Sequence, residues 1–297
     1  MTALDRLRQG GVVLLDGATG TELERRGFAL ARPGWSARAL VDAPELLAAI
    51  HRDYAEAGAE IITANTFRLH GSNLESWGRG GDQRKLVRLA VSIAREAAPG
   101  CLIAASLAPV ADCYSPELAP DDGNLAREHQ RTAETIAAAG ADLILIETMT
   151  VARESIIAAA AARATGLPFV VSFVCGPDGR LLSGELLSDA ARGVAAAEPL
   201  AIGVNCIAVE DVHAALDALR QAVPGMPLAV CPNTSERGAD GVWRVTTAAE
   251  PAVYAALAKG WRTWGAGLIG GCCGTTPAHV AAMQQAFGKE VAALRSC

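Results

Sequence analysis

Two adjacent thiols stand among glycines near the end of the chain, in Gly270-Gly271-Cys272-Cys273-Gly274. Neighbouring side chains of a regular strand point to opposite faces. Two adjacent cysteines therefore serve one site only where the backbone turns, and glycine permits that turn. Alone, the pair reads equally as two small buried side chains. A third thiol, Cys206, follows Gly203-Val204-Asn205. Three thiolates at one place suit Zn²⁺, which favours sulfur in a tetrahedral shell. Three protein ligands leave the fourth position open, as in catalytic zinc sites. A substrate thiol entering that position loses its proton on coordination. The chemistry this favours is alkyl transfer to sulfur. A zinc hydroxide that hydrolyses is the competing use, but three anionic ligands weaken the ion as a Lewis acid. A protein that binds thiol or metal without turnover is the reading of another class.

The elements that position these thiols follow from the hydrophobic pattern. Short apolar runs suggest strands at 12–15, 61–66, 102–107, 143–147, 169–174, 201–205, 228–230 and 267–271. Helical spacing falls between them, over about 44–57, 82–98, 124–139, 151–164, 188–197, 209–222 and 248–259. Asp42 is a candidate N-cap for the first of these. A last helix opens with Thr276 as N-cap and Pro277 at its first position. Strict strand–helix alternation argues for a parallel sheet with right-handed crossovers. Eight repeats in 297 residues fit a closed α/β barrel, the (β/α)8 or TIM barrel, over residues 1–297 as a single domain. An open doubly wound sheet is the runner-up, but Asp16-Gly17-Ala18-Thr19-Gly20 lacks the dinucleotide fingerprint Gly-x-Gly-x-x-Gly.

Helix-to-strand connections are short, whereas the strand-to-helix segments 67–81, 108–123, 175–187 and 233–247 are long. In a barrel the long loops share the face where active sites form. The strand ends on that face read Asp16, Asn65-Thr66, Ser106, Glu147-Thr148, Asn205-Cys206, Asn233 and Cys272-Cys273. Cys231, at the end of strand seven, is the alternative third zinc ligand. Cys101, Cys113, Cys175 and Cys297 read as core, loop or tail. His51, His70, His129, His213 and His279 read as packing or surface residues. Asp16 and Glu147 suit an ammonium group, and the amides from Gly17 to Gly20 suit a carboxylate. An amino acid bearing a thiol satisfies all of these groups.

Composition narrows the class further. A net charge of −6 with no basic block gives no support for a nucleic-acid partner. No apolar run of about 18 residues reads as a membrane span, and residues 1–8 lack the apolar core of a signal peptide. The expected location is cytoplasmic, where the eight cysteines would be reduced.

Several segments, in order along the chain, match one known family. They are Asp16-Gly-Ala-Thr-Gly-Thr-Glu-Leu23, Trp35-Ser36, Pro44-Glu-Leu-Leu47 and Ile62-Thr-Ala-Asn-Thr-Phe67. Leu145-Ile-Glu-Thr-Met149, Gly203-Val-Asn-Cys206 and Gly270-Gly-Cys-Cys-Gly274 complete the set. In these the chain resembles the homocysteine S-methyltransferase family. The resemblance implies Zn²⁺ on Cys206, Cys272 and Cys273, homocysteine as methyl acceptor and methionine as product. It places Asp16 and Glu147 on the homocysteine amino group and the Gly17 and Ala18 amides on its carboxylate, with Asn65 and Trp35 also lining the substrate site.

Family members take the methyl group from betaine, from S-methylmethionine or related sulfonium compounds, or from a methyl-corrinoid held elsewhere. Phe67-Arg68 places a cation where betaine-using relatives carry an aromatic residue, and a cation there opposes a quaternary ammonium. Cys231-Pro232-Asn233 likewise departs from the family's Tyr-Pro-Asn. The expected donor is S-methylmethionine or a related sulfonium compound.

Overall fold

The computed structural model describes residues 2–238 and 242–293; Cys297 lies outside them. Eight strands form the sheet: β1 (Val13–Leu14), β2 (Ile61–Ala64), β3 (Leu102–Leu107), β4 (Leu143–Met149), β5 (Phe169–Phe173), β6 (Ala201–Asn205), β7 (Leu228–Cys231) and β8 (Ala266–Ile269). All pair in parallel, each with its sequence neighbour from β2 to β8, and β1 pairs with β8. A bridge between Leu15 and Ile61 brings β1 against β2 and closes the circle. This is the (β/α)8 barrel expected from the alternation.

Period-two alternation builds two cores. Val13, Leu15, Ile61, Ala104, Leu143, Leu145, Val170, Ala201, Ala229 and Leu268 pack inside the barrel. Their neighbours along each strand, such as Leu14, Ile62, Ile103, Ile144, Val171 and Ile202, face the helices. Helix Ala3–Arg8 reaches under the barrel floor, where Leu7 joins the inner core. Beside it the buried Arg6 pairs with Glu60 and donates through Nε to the Val12 carbonyl at 2.8 Å. Apolar filling below leaves the polar strand ends above free to form a site.

The main helices are Pro44–Glu56, Gln83–Ala97, Asp122–Ala138, Ala152–Ala164, Leu187–Ala195, Val212–Ala222, Pro251–Thr263 and Pro277–Ala293. One cap and one helix start differ from expectation. Asp42 ends a separate short helix, Ala39–Asp42, and Ala43 stands at the cap position before Pro44. The third main helix starts earlier than expected because Asp121 accepts the Asn124 amide at 3.0 Å. Thr276 does precede Pro277, and its hydroxyl lies 3.0 Å from His279 Nδ1. Two short helices, Thr19–Arg25 and Gly71–Ser76, and a hairpin of Ser235–Arg237 with Trp243–Val245 lie within the long upper loops. Among the described residues no helix is long and apolar enough to cross a membrane.

Candidate active site at the barrel mouth

The three thiols meet. Ligand atoms of Cys206, Cys272 and Cys273 all lie within 4.8 Å of one another, and Cys206 Sγ is 2.6 Å from Cys272 Sγ. A tetrahedral ion with bonds of 2.3 Å holds sulfurs about 3.8 Å apart; Cys206 and Cys272 stand closer than that here, and it is the donor set of three gathered sulfurs that fits zinc. The backbone explains how adjacent cysteines share one focus. Past β8 the chain leaves strand geometry: Cys272 donates its amide to the Pro232 carbonyl at 3.0 Å. Cys273 donates to Asn233 Oδ1 at 3.1 Å. Gly274 then takes φ +84°, a left-handed conformation natural to glycine. From the other side Cys206 enters at φ +55°, its amide bonded to the Cys231 carbonyl at 3.1 Å.

Charge also points to a cation. Hydrogen bonds from Cys206 and Cys272 hold the Cys273 thiol well below its ordinary value. Its hydrogen bond with Cys272, then that with Cys273, and burial push Cys206 well above its own. Without positive charge at their centre, the three sulfurs cannot all be thiolates. Cys231 lies outside this group. It ends β7 with its side chain in the inner core, below the thiols. Burial raises its thiol further from ionisation, followed by the charges of Glu147 and Asp16.

Next to the thiols is a cavity of about 260 Å³. Asp16, Thr63, Ser106, Glu147 and Ser172 line it, together with Cys206, Cys231, Cys272 and Cys273. Asp16 is fixed by Thr63, whose amide donates to Oδ2 and whose hydroxyl donates to Oδ1, both at 2.7 Å. Burial nevertheless pushes the Asp16 carboxyl up to about 7; the Thr63 bonds oppose the shift and the charge of Glu147 adds to it. Glu147 opens onto the cavity but is otherwise enclosed, and burial raises it to about 7 as well. Ser106 Oγ, buried and without a full hydrogen bond among the described residues, faces Glu147 closely enough to oppose that rise. Two acids poised near neutrality in one cleft mark a functional site.

Asn205 organises the adjoining strand ends. Its Oδ1 accepts the Thr148 amide at 2.8 Å, and its Nδ2 lies 3.5 Å from Glu147 Oε2. Gly17, Ala18 and Thr19 line the cavity beside Asp16. The Ala18 amide already donates to Thr275 Oγ1 at 3.2 Å. Buried tyrosines brace these loops from behind. Tyr54 Oη lies 3.0 Å from the Ala18 carbonyl and 3.1 Å from that of Thr275. Tyr254 Oη lies 2.9 Å from the Gly270 carbonyl.

The outer wall carries Trp35 and Phe67, with ring centroids 5.9 Å apart. Asn65 also lines the cavity, though both ends of its amide meet Ser36, at 3.1 and 2.8 Å. It thereby ties β2 to the Trp35 segment. His51, His70, His129 and His279 are buried away from the thiols, as packing residues. Thr63, Ser172 and Tyr114 are cavity residues that strand-end reading missed. Alternation along β5 would have revealed Ser172, two residues past the inward Val170. Nothing local marks Tyr114, which reaches the cavity from a long loop.

Fold and site together define a (β/α)8 barrel with a possible metal-binding group of three thiols at its mouth. The homocysteine S-methyltransferase family model matches residues 13–287. Homocysteine S-methyltransferase of Escherichia coli (strain K12) is 34% identical, with 92% of this chain and 94% of that protein covered. Homocysteine S-methyltransferase 4 of Zea mays is 31% identical, covering 93% of this chain and 90% of its own. The metallated form of the homocysteine methyltransferase MmuM from Escherichia coli superposes with a TM-score of 0.80 at 31% identity, over 93% of this chain and 96% of that one. This chain belongs to the homocysteine S-methyltransferase family.

Proposed function

We propose that this chain methylates the thiol of homocysteine to give methionine, using Zn²⁺ held by Cys206, Cys272 and Cys273. The observation that carries the reading is the group of three sulfurs within 4.8 Å beside a cavity lined by Asp16 and Glu147. A bound Zn²⁺ supplies the acceptor sulfur as a thiolate at neutral pH. Asp16, held by Thr63, and Glu147, beside Asn205, accept hydrogen bonds from the homocysteine ammonium. The Gly17 amide serves its carboxylate, and the Ala18 amide joins it if Thr275 yields. Trp35, positioned by Asn65 through Ser36, forms the wall for the donor.

The donor is S-methylmethionine or a related sulfonium compound. The acceptor sulfur forms the new S–CH₃ bond as the donor S–CH₃ bond breaks, and the electron pair stays on the departing sulfide. Arg68, placed next to Phe67 at the mouth, opposes a quaternary ammonium seated against it, which argues against betaine in the orientation that needs an aromatic cage there. The protein is a single-domain cytoplasmic enzyme without a nucleic-acid partner.

A donor panel with homocysteine, read by mass detection of methionine, tests the activity. Metal analysis tests the site: about one zinc per chain in wild type and in Cys231→Ala, and near-complete loss of zinc and turnover in Cys272→Ala. Methyl transfer by metal-free protein overturns the zinc assignment. Hydrolysis without an acceptor thiol, or stoichiometric homocysteine binding with no product from any donor, replaces the methyltransferase reading.

A further inference from the structure

Charge in the cavity is graded from floor to mouth. The floor holds Asp16, Glu147 and the three thiols, while the outer wall holds Arg32, Arg68 and Asp112. Arg32 and Asp112 neutralise each other, with Nη2 and Oδ2 2.6 Å apart. Arg68 forms no direct ion pair among the described residues, though its charge also acts on Asp112 from further away. It donates through Nη1 to the Ala111 carbonyl at 3.3 Å and lies over the Phe67 ring, 5.2 Å from the centroid. A guanidinium carries five N–H donors in a fixed fork, so most of them remain for a ligand. The stacking on Phe67 and the Ala111 contact hold that fork at the cavity wall before any ligand arrives. Phe67 in turn packs against Trp35.

Resting on the methyltransferase reading above, we infer that Arg68 is the receptor for the donor's carboxylate and so selects dipolar methyl donors. A sulfonium alone is repelled by this mouth. A sulfonium whose chain ends in a carboxylate reverses that preference: the anionic end stays at Arg68 and the methyl-bearing end enters toward the thiols. The guanidinium–carboxylate pair is bidentate in its best geometry, which fixes orientation as well as affinity. The donor class is an amino or simple acid whose carboxylate is separated from its sulfonium by several bonds.

The test compares S-methylmethionine with its carboxamide, which keeps the sulfonium and removes the negative charge. With homocysteine saturating, wild type should prefer the acid by about 10- to 100-fold in kcat/KM, the range for a charged hydrogen-bonded contact. Arg68→Met should collapse that ratio to near unity through the donor KM, and Arg68→Lys should restore part of it. An acid-to-amide ratio that is near unity in wild type, or unchanged in Arg68→Met, overturns the proposal. If neither donor yields methionine, the reading of S-methylmethionine as donor fails separately. Calorimetric binding of the same two compounds to wild type and Arg68→Met then decides the Arg68 assignment: preference for the acid lost in the variant supports it, and equal binding overturns it.

Discussion

Asn205 clamps Thr148 from two sides. Its Oδ1 accepts the Thr148 amide at 2.8 Å, and its Nδ2 donates to Thr148 Oγ1 at 2.9 Å. Thr148 stands at φ +62° and Cys206, directly after Asn205, at φ +55°. Non-glycine residues in this left-handed region cost about 1–3 kcal/mol each and persist where their surroundings over-determine them. One side chain thus fixes the residue after Glu147 and sits beside a thiol of the cup. Both the acid and the sulfur inherit their positions from it.

Asn205→Ala should therefore damage stability and metal binding together. It leaves the buried Thr148 amide unpaired, at about 1–3 kcal/mol. Freed strand ends should weaken zinc affinity by about 10- to 100-fold, as loss of a supporting contact behind a metal ligand does. Urea unfolding of metal-free protein reads the first effect and chelator competition the second. Unchanged zinc affinity would show that Cys206 keeps its conformation without Asn205.

Asp16 and Glu147 predict a proton signature. Burial pushes both carboxyls up to about 7, from ordinary values of 3.8 and 4.5. Between about pH 4 and pH 7 the folded state holds protons that the unfolded chain has released. These two groups therefore make stability fall as pH rises through that window. His51 and His70, lowered by burial to about 4 and about 3, act with the opposite sign. The informative quantity is the difference in slope between wild type and Asp16→Asn/Glu147→Gln, which should lose the downward component. An ammonium bound between the acids favours their charged forms. Homocysteine binding near pH 6.5 should thus release protons in wild type and fewer in the double variant. Calorimetry in buffers of different ionisation enthalpy measures the difference; equal release in both would remove the acids from the ammonium site.

Much of this architecture was legible from residue types alone. Runs such as Leu102–Leu107 and Ala201–Asn205 are buried throughout most of their length, so hydrophobicity marks them regardless of partners. Cys206 and Cys272-Cys273 were legible because thiols at strand ends among glycines have little packing rationale. The relationship of Thr63 to Asp16 was not, since it depends on how β2 lies beside the end of β1. Tyr54 and Tyr254 read as ordinary core from their helices, yet their hydroxyls reach the loop carbonyls under the site. The seven residues of Thr19–Arg25 make too short a helix to show a period. Cys231 differs from the three gathered thiols only in the face it presents, which the end of a four-residue strand leaves open.

Gly271 couples the thiol cup to the substrate loop, and its substitution should disturb both. Its amide donates to the Asp16 carbonyl at 3.0 Å. A Cβ added there would meet Thr275 Oγ1 first, with Cγ2 at 2.6 Å and Cβ at 2.7 Å. Thr275 is buried and cannot swing into solvent. Its hydroxyl donates to the Cys272 carbonyl at 2.7 Å and accepts the Ala18 amide at 3.2 Å. Displacing it breaks a contact on the zinc side and one on the homocysteine side at once. Gly271→Ala should cost about 1–3 kcal/mol, the range for overpacking a filled interior, and should lower zinc and homocysteine affinity in parallel. Adding Thr275→Ser removes Cγ2 and keeps the hydroxyl, so it should recover part of both losses. Gly81→Ala, where a Cβ meets nothing within 4 Å, is the control and should change stability by less than about 0.5 kcal/mol. Denaturant unfolding with paired zinc and homocysteine titrations measures the set. If Gly271→Ala weakens one ligand and spares the other, Thr275 does not join the two halves of the site.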